Sequence, residues 1–174
     1  MVSIGYRHGP RLMSSLRKVW VRLRNPHADI HFGKSTYLGP RFSLYLPWGG
    51  TVIVGAGVRF GRRFRCELSP GARVTIAEGC AFAEDVVIQC GTSIDIGERV
   101  TVGQCALIVD GNHRFRDLDR PMLAQGYDLR PLRISDDATI GSKCTVINNV
   151  GRGALIEANS VVSRPVSVDG QGER

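Results

Sequence analysis

The sequence predicts an all-β fold, a parallel β-helix of hexapeptide repeats, on three observations. An apolar residue, often followed by a small one, recurs every six positions: Val54-Gly55 with Phe60-Gly61, Ile76-Ala77 with Phe82-Ala83, Ile96-Gly97 with Val102-Gly103, Ile134 with Ile140-Gly141, and Val150-Gly151 with Ile156. A second apolar or small series lies four positions after most of these: Val58, Phe64, Cys80, Val86, Val100, Ala106, Ala138, Cys144 and Ala154. Glycines number 21 while aromatics make up 7%, which suits a narrow repetitive interior. A short fixed repeat points to a solenoid whose coils stack on one another. A β-sandwich would instead show strand alternation bounded by turns every 8–12 residues or so. The beat slips between residues 66 and 76, 88 and 96, and 146 and 150, where bulges or shortened corners are expected.

Taken in order, residues 1–41 read as a basic N-terminal helix and cap. Residues 11–24 bring Leu12, Leu16, Val19, Trp20 and Leu23 to one face, with arginines and Lys18 on the other. Asn25-Pro26 ends the helix. Its apolar face has two readings: a lid over the open end of the solenoid, or a surface lying on anionic lipid with Trp20 at the interface. Residues 42–166 form the β-helix domain. Within it, residues 113–132 lose the six-residue beat and carry Pro121, Gly126 and Pro131, so they are expected to loop out of the coil, where function is usually sited. Residues 167–174 are polar and expected to fray.

The charge of +7 is unevenly spread. Residues 1–41 hold eight Lys and Arg against Asp29 alone, and the remainder holds 15 of each sign. Nucleic-acid binding has no motif beyond that charge. The five cysteines form no CxxC pair, which points to free thiols in a reducing compartment. Cys66, Cys80 and Cys144 fall at inward positions, as small buried fillers. No apolar run reaches the roughly 18 residues of a spanning helix. A cytoplasmic location is expected, peripheral to the inner face of a membrane through residues 11–24. His8, His27 and His31 precede the repeats and read as surface residues. The coil offers His113 alone, so no metal site is expected.

The segment IDIGERVTVGQCALIVDGNH, followed by RPLRI, DDATIGSKCTV and GRGALIEANSVVSRPV, resembles the hexapeptide-repeat acyltransferases. It is most similar to O-acetyltransferases of bacterial surface sugars and to the galactoside and maltose acetyltransferases, from about Val54 to Val166. The resemblance implies a left-handed coil, an exception to the usual crossover rule. It also implies a homotrimer, with acetyl-CoA bound in the groove between two coils. His113 matches the family's general base, a role for which imidazole as a side-chain type is suited near neutral pH. Ser142 matches a main-chain N–H donor to the thioester oxyanion, supplied by the neighbouring subunit. Ala158 matches a position lining the pantetheine channel, and Ser163 and Arg164 a pair near the nucleotide end.

The family's aromatic residue before IGS is Thr139 here. Its sugar-contacting asparagine and acidic partner align with Ala83 and Gly91. Acceptor contacts are therefore expected from Asp85, Asp110, Asn112 and Arg120, with Arg116, Asp117 and Tyr127 beside them. Asp110, a main-chain carbonyl or a loop carboxylate would orient His113. The family's C-terminal GxPA-type stretch has no counterpart, which predicts a less covered CoA. The expected activity is acetyl transfer from acetyl-CoA to a hydroxyl of a sugar or glycolipid. The alternatives are N-acetylation of an amino sugar or antibiotic, and a non-catalytic trimeric scaffold.

Overall fold

A helix, Arg11–Arg24, precedes a left-handed parallel β-helix of triangular section. The computed structural model describes residues 11–114 and 116–167; His8 and most of the expected frayed tail lie outside them. The first face stacks Ala28–Phe32, Gly50–Val54, Arg73–Ile76, Ser93–Ile96 and Leu132–Ile134. The second stacks Tyr37–Leu38, Arg59–Phe60, Ala81–Phe82, Thr101–Val102, Thr139–Ile140 and Leu155–Ile156. The third stacks Ser43–Tyr45, Arg65–Leu68, Val87–Cys90, Leu107–Val109, Thr145–Val146 and Val161–Val162. All pairings between coils are parallel, with apolar residues in exact register, such as Val102 between Phe82 and Ile140.

The interior follows from the two series of the repeat. Each aliphatic position is buried, and so is the second series from Val58 and Phe64 to Ala138 and Ala154. Phe42, Phe60, Phe64 and Phe82 stack in the early coils, with ring centroids 4.4–5.3 Å apart. Such pairs contribute beyond simple burial. Cys66, Cys80 and Cys144 point inward as expected; Cys90 joins them and Cys105 is exposed. Burial pushes the Cys80 thiol up to about 11 and, with Asp110 beside it, the Cys90 thiol up to about 12, so both stay protonated and inert at neutral pH.

The small residue of the repeat proves necessary for a reason of stacking. A Cβ on Gly103 would sit 2.5 Å from Ser142 N, and one on Gly141 2.5 Å from Ala158 N, so the next coil leaves no room. The left-handed backbone falls two residues later, at Arg63, Asp85, Cys105, Lys143 and Asn159, none of them glycine.

Two expectations are corrected. The first coil begins at Ala28, which pairs with Gly50, so residues 28–41 belong to the β-helix and not to a cap. The helix does cover the edge of the first coil, but not with its apolar face. Ser14 Oγ accepts a bond from Leu38 N–H (2.9 Å), Arg17 Nη1 donates to Leu38 O (2.8 Å), and Val21 is buried. Hydrogen bonds that satisfy an open strand edge fix the helix orientation. Leu12, Leu16, Val19, Trp20 and Leu23 therefore face away from the coil.

Candidate functional site

The slips in the beat all fall at the corner between the third face and the first. After Val109 this corner opens into a projection running to Pro131. Its base is an antiparallel hairpin of Gly111–His113 and Tyr127–Leu129. The absence of a six-residue beat hid this hairpin, because its period is that of a two-stranded ribbon.

Asp110 anchors the hairpin. Its buried carboxylate accepts bonds from Gly91 N–H (2.6 Å), Thr92 N–H (2.7 Å) and Thr92 Oγ1 (2.9 Å), with Cys90 Sγ at 3.5 Å. Its carbonyl accepts from Arg130 N–H (2.8 Å). Asp110 is thereby corrected from an acceptor contact, and from the orienter of His113, to the clamp of the corner; its oxygens are already engaged. Gly91 has its own explanation. A Cβ there would meet Leu129 Cδ2 at 2.6 Å, and one on Gly111 would meet the same leucine. The hairpin lies over both glycines through Leu129, a residue that carried no signal in the sequence.

His113 sits in the hairpin, half-buried, its ring 4.2 Å from that of Tyr127, the residue opposite it in register. Its main-chain N–H donates to Asn112 Oδ1 (2.9 Å). Its Nδ1 is buried with no hydrogen-bond partner among the described residues. A buried orphan nitrogen is costly and calls for an explanation. Among the expected acceptor contacts, Asn112 is exposed beside the histidine. Arg120 donates to Ala124 O (2.7 Å) inside the projection, whose turn is tied by Gln125 through Asp117 N–H and the carbonyls of Asp117 and Arg120. Arg116 is exposed. Asp85 is elsewhere, on the second corner, between the second face and the third, paired with Arg63, which holds its carboxyl below the usual value.

The remaining expected residues fall on two different edges. Ser142 and Ala158 stack at the second corner, joined by Asn159 N–H to Ser142 O (2.9 Å). The Ser142 main-chain N–H has no partner among the described residues, and the side chain of Ala158 is exposed and small. Ser163 and Arg164 lie on the third corner, on the edge that carries His113, both exposed. One chain thus separates His113 from Ser142 by the width of the third face. Among the described residues no group of three or more His, Cys, Asp or Glu is arranged to hold a metal ion.

No family model matches the chain. Among curated proteins, a probable acetyltransferase of Mycobacterium tuberculosis is 28% identical over 144 residues, covering 81% of this chain and 47% of its own length. The chain thus spans about half the length of the curated relative it matches. Among solved structures, the N-acyltransferase AntD of Bacillus cereus, as a variant in complex with dTDP-4-amino-4,6-dideoxyglucose and coenzyme A, has a TM-score of 0.70 at 16% identity, covering 90% of this chain and 80% of that one. AntD with dTDP and 3-hydroxybutyryl-CoA gives 0.67 at 18%, over 89% and 79%. A hexapeptide-repeat containing acetyltransferase of Vibrio cholerae O1 biovar eltor, complexed with acetyl-CoA, gives 0.62 at 22%, over 89% and 69%. At these identities the likeness establishes the fold.

Proposed function

We propose that the chain is a CoA-dependent acyltransferase acting on a carbohydrate, with His113 as general base. The observation that carries this reading is the position of His113 at the base of the projection that interrupts the solenoid after Val109. Its ring lies against that of Tyr127, tilted by 39°, and Nε2 is left to meet an acceptor. In the transfer, the acceptor oxygen or nitrogen attacks the thioester carbon and gives its proton to the imidazole. The tetrahedral oxyanion is stabilised by the Ser142 N–H. The C–S bond then breaks, and the CoA thiolate takes up the proton as free thiol. Such a donor is worth about 3 kcal/mol in related sites.

Because His113 and Ser142 stand on different edges, the complete site takes one from each of two adjoining copies, as a homotrimer provides. CoA then lies between coils, with the thioester at Ser142, the pantetheine passing Ala158, whose methyl leaves it room, and the nucleotide near Ser163 and Arg164. Arg164 is a fit partner for phosphate. The acceptor meets the projection, at Asn112 and Arg120. The orphan Nδ1 is satisfied by the neighbouring copy or by bound substrate. An acidic residue on the second corner, Asp85, is a weaker acceptor contact, since Arg63 occupies it.

The resemblance in sequence favours a hydroxyl acceptor and acetyl as the acyl group. A second reading, N-acylation of a nucleotide-linked amino sugar, is favoured by AntD, which was captured with such a compound. Release of free thiol from acetyl-CoA, measured with amino sugars and with the matching hydroxy sugars, tests both. Alkaline hydroxylamine cleaves an ester product and spares an amide. Absence of His113-dependent thiol release with every acceptor would leave the scaffold reading.

A further inference from the structure

We propose that the outward face of the N-terminal helix is a docking surface for an anionic membrane. The helix presents Leu12, Leu16, Val19, Trp20 and Leu23 to the outside, each more than half exposed. The side that faces the coil is narrow and partly polar, held by Ser14, Arg17 and Val21. The usual arrangement, apolar face inward, is therefore reversed, and burial within the chain does not account for the apolar stripe.

Charge selects the occupant. The helix carries Arg11, Arg17, Lys18, Arg22 and Arg24 and no acidic residue; Arg17 is held on Leu38 O and Arg22 lies over the Phe32 ring at 5.8 Å, on the side of the coil. Residues 1–41 as a whole hold eight basic side chains against one acidic. A second copy of this face would bring like charges together, and the repeat body, with 15 residues of each sign, carries no net negative charge to pair with it. Anionic headgroups do, each basic side chain near such a surface strengthening partition roughly fivefold.

Aromatic residues gather at the same end. Arg24 lies over the Trp20 ring at 5.0 Å. A cavity of about 340 Å³ links Arg24 and Pro26 to Tyr45 and Pro47, and Tyr45 and the neighbouring Trp48 are 60% and 76% exposed. Amphipathic rings of this kind sit at the headgroup level. Among the described residues no helix is long and apolar enough to cross a membrane, so the contact is one of lying on the surface. This inference stands whether or not the acyl-transfer reading holds.

The test uses the full chain carrying Trp48→Phe, so that emission reports Trp20. Vesicles of equimolar phosphatidylglycerol and phosphatidylcholine are compared with vesicles of phosphatidylcholine alone. The expected result is co-sedimentation with the anionic vesicles, a blue shift of Trp20 emission on binding, and weakening at high salt. The double variant Leu16→Glu, Leu23→Glu should bind at least about tenfold more weakly with an unchanged melting temperature and oligomeric state. No binding and no shift with anionic vesicles would overturn the proposal without recourse to any helix variant. So would a double variant that binds as tightly as the parent, or one that alters the oligomeric state while vesicle binding persists, which would mark the stripe as a subunit contact.

Discussion

The second and third corners of the prism obey opposite rules. At the second corner, every coil but the last makes the same turn: a small residue, a free position, then a left-handed residue, as in Gly103-Gln104-Cys105 and Gly141-Ser142-Lys143; the last opens on Glu157, with no coil above it. Coils there lie so close that a Cβ added to Gly61, Gly103 or Gly141 would enter the backbone of the next coil. At the third corner no two turns need match. It holds Gly91-Thr92, then the projection after Val109, then the short link 147–149, beyond which Val150 makes only isolated bridges, to Ile134 and Val166. The stack tolerates inserted chain where strands diverge and forbids it where coils touch. A repetitive scaffold thereby gains one edge on which a site with its own geometry can be built.

The largest expected effect lies at the permissive corner. His113→Ala should lower acyl transfer by about 10²–10⁴-fold with little loss of thermal stability, since its buried nitrogen makes no bond and only the ring contact with Tyr127 is removed. At the strict corner, Gly141→Val should cost about 3 kcal/mol or more of stability, seen in chemical denaturation, because Ala158 N stands where the new Cβ must go. Asp110→Ala joins the two behaviours. It strands the N–H groups of Gly91 and Thr92, at a cost of about 2–3 kcal/mol, and frees the hairpin, so stability and transfer fall together. Gly126→Ala, within the projection, meets nothing within 4 Å, and its φ of +76° should cost only about 1 kcal/mol.

The smallest effect is electrostatic. At the first corner, the Arg99 guanidinium holds the Asp137 carboxyl below its ordinary value of 3.8. A carboxyl lowered in the folded state adds stability above its unfolded pKa and loses it as pH falls through the folded one. Asp137→Asn should therefore melt slightly lower than the parent at neutral pH, and the gap should close as the pH drops below 3.8 toward the folded pKa. The exposed position keeps that gap small.

What the sequence makes legible divides along the same line. The strict part of the molecule is periodic, so Ile76, Phe82 and Ile88 announce three faces, and Val86 and Cys80 announce inward corners. His113 is conspicuous because the beat stops beside it. The hairpin is not legible, since Tyr127 and Leu129 are defined only by the strand they oppose. Asp110 reads as a free acid until Gly91 and Thr92, some twenty residues earlier, are seen to donate to it. The helix misleads for a physical reason. An apolar stripe normally decides which way a helix faces, but here the unpaired N–H and C=O of Leu38 decide it through Ser14 and Arg17.

The division of the site between two edges can be tested by mixing subunits. Ser142→Pro removes the N–H without disturbing the turn, because Pro40 occupies the equivalent position in the first coil. Alone, His113→Ala and Ser142→Pro should each be inactive. Co-assembled in equal amounts, they should recover roughly a quarter of parental activity, since that fraction of interfaces in a cyclic oligomer pairs an intact histidine with an intact donor. Mixed assemblies that stay as inactive as either variant alone would contradict a site shared between adjoining copies.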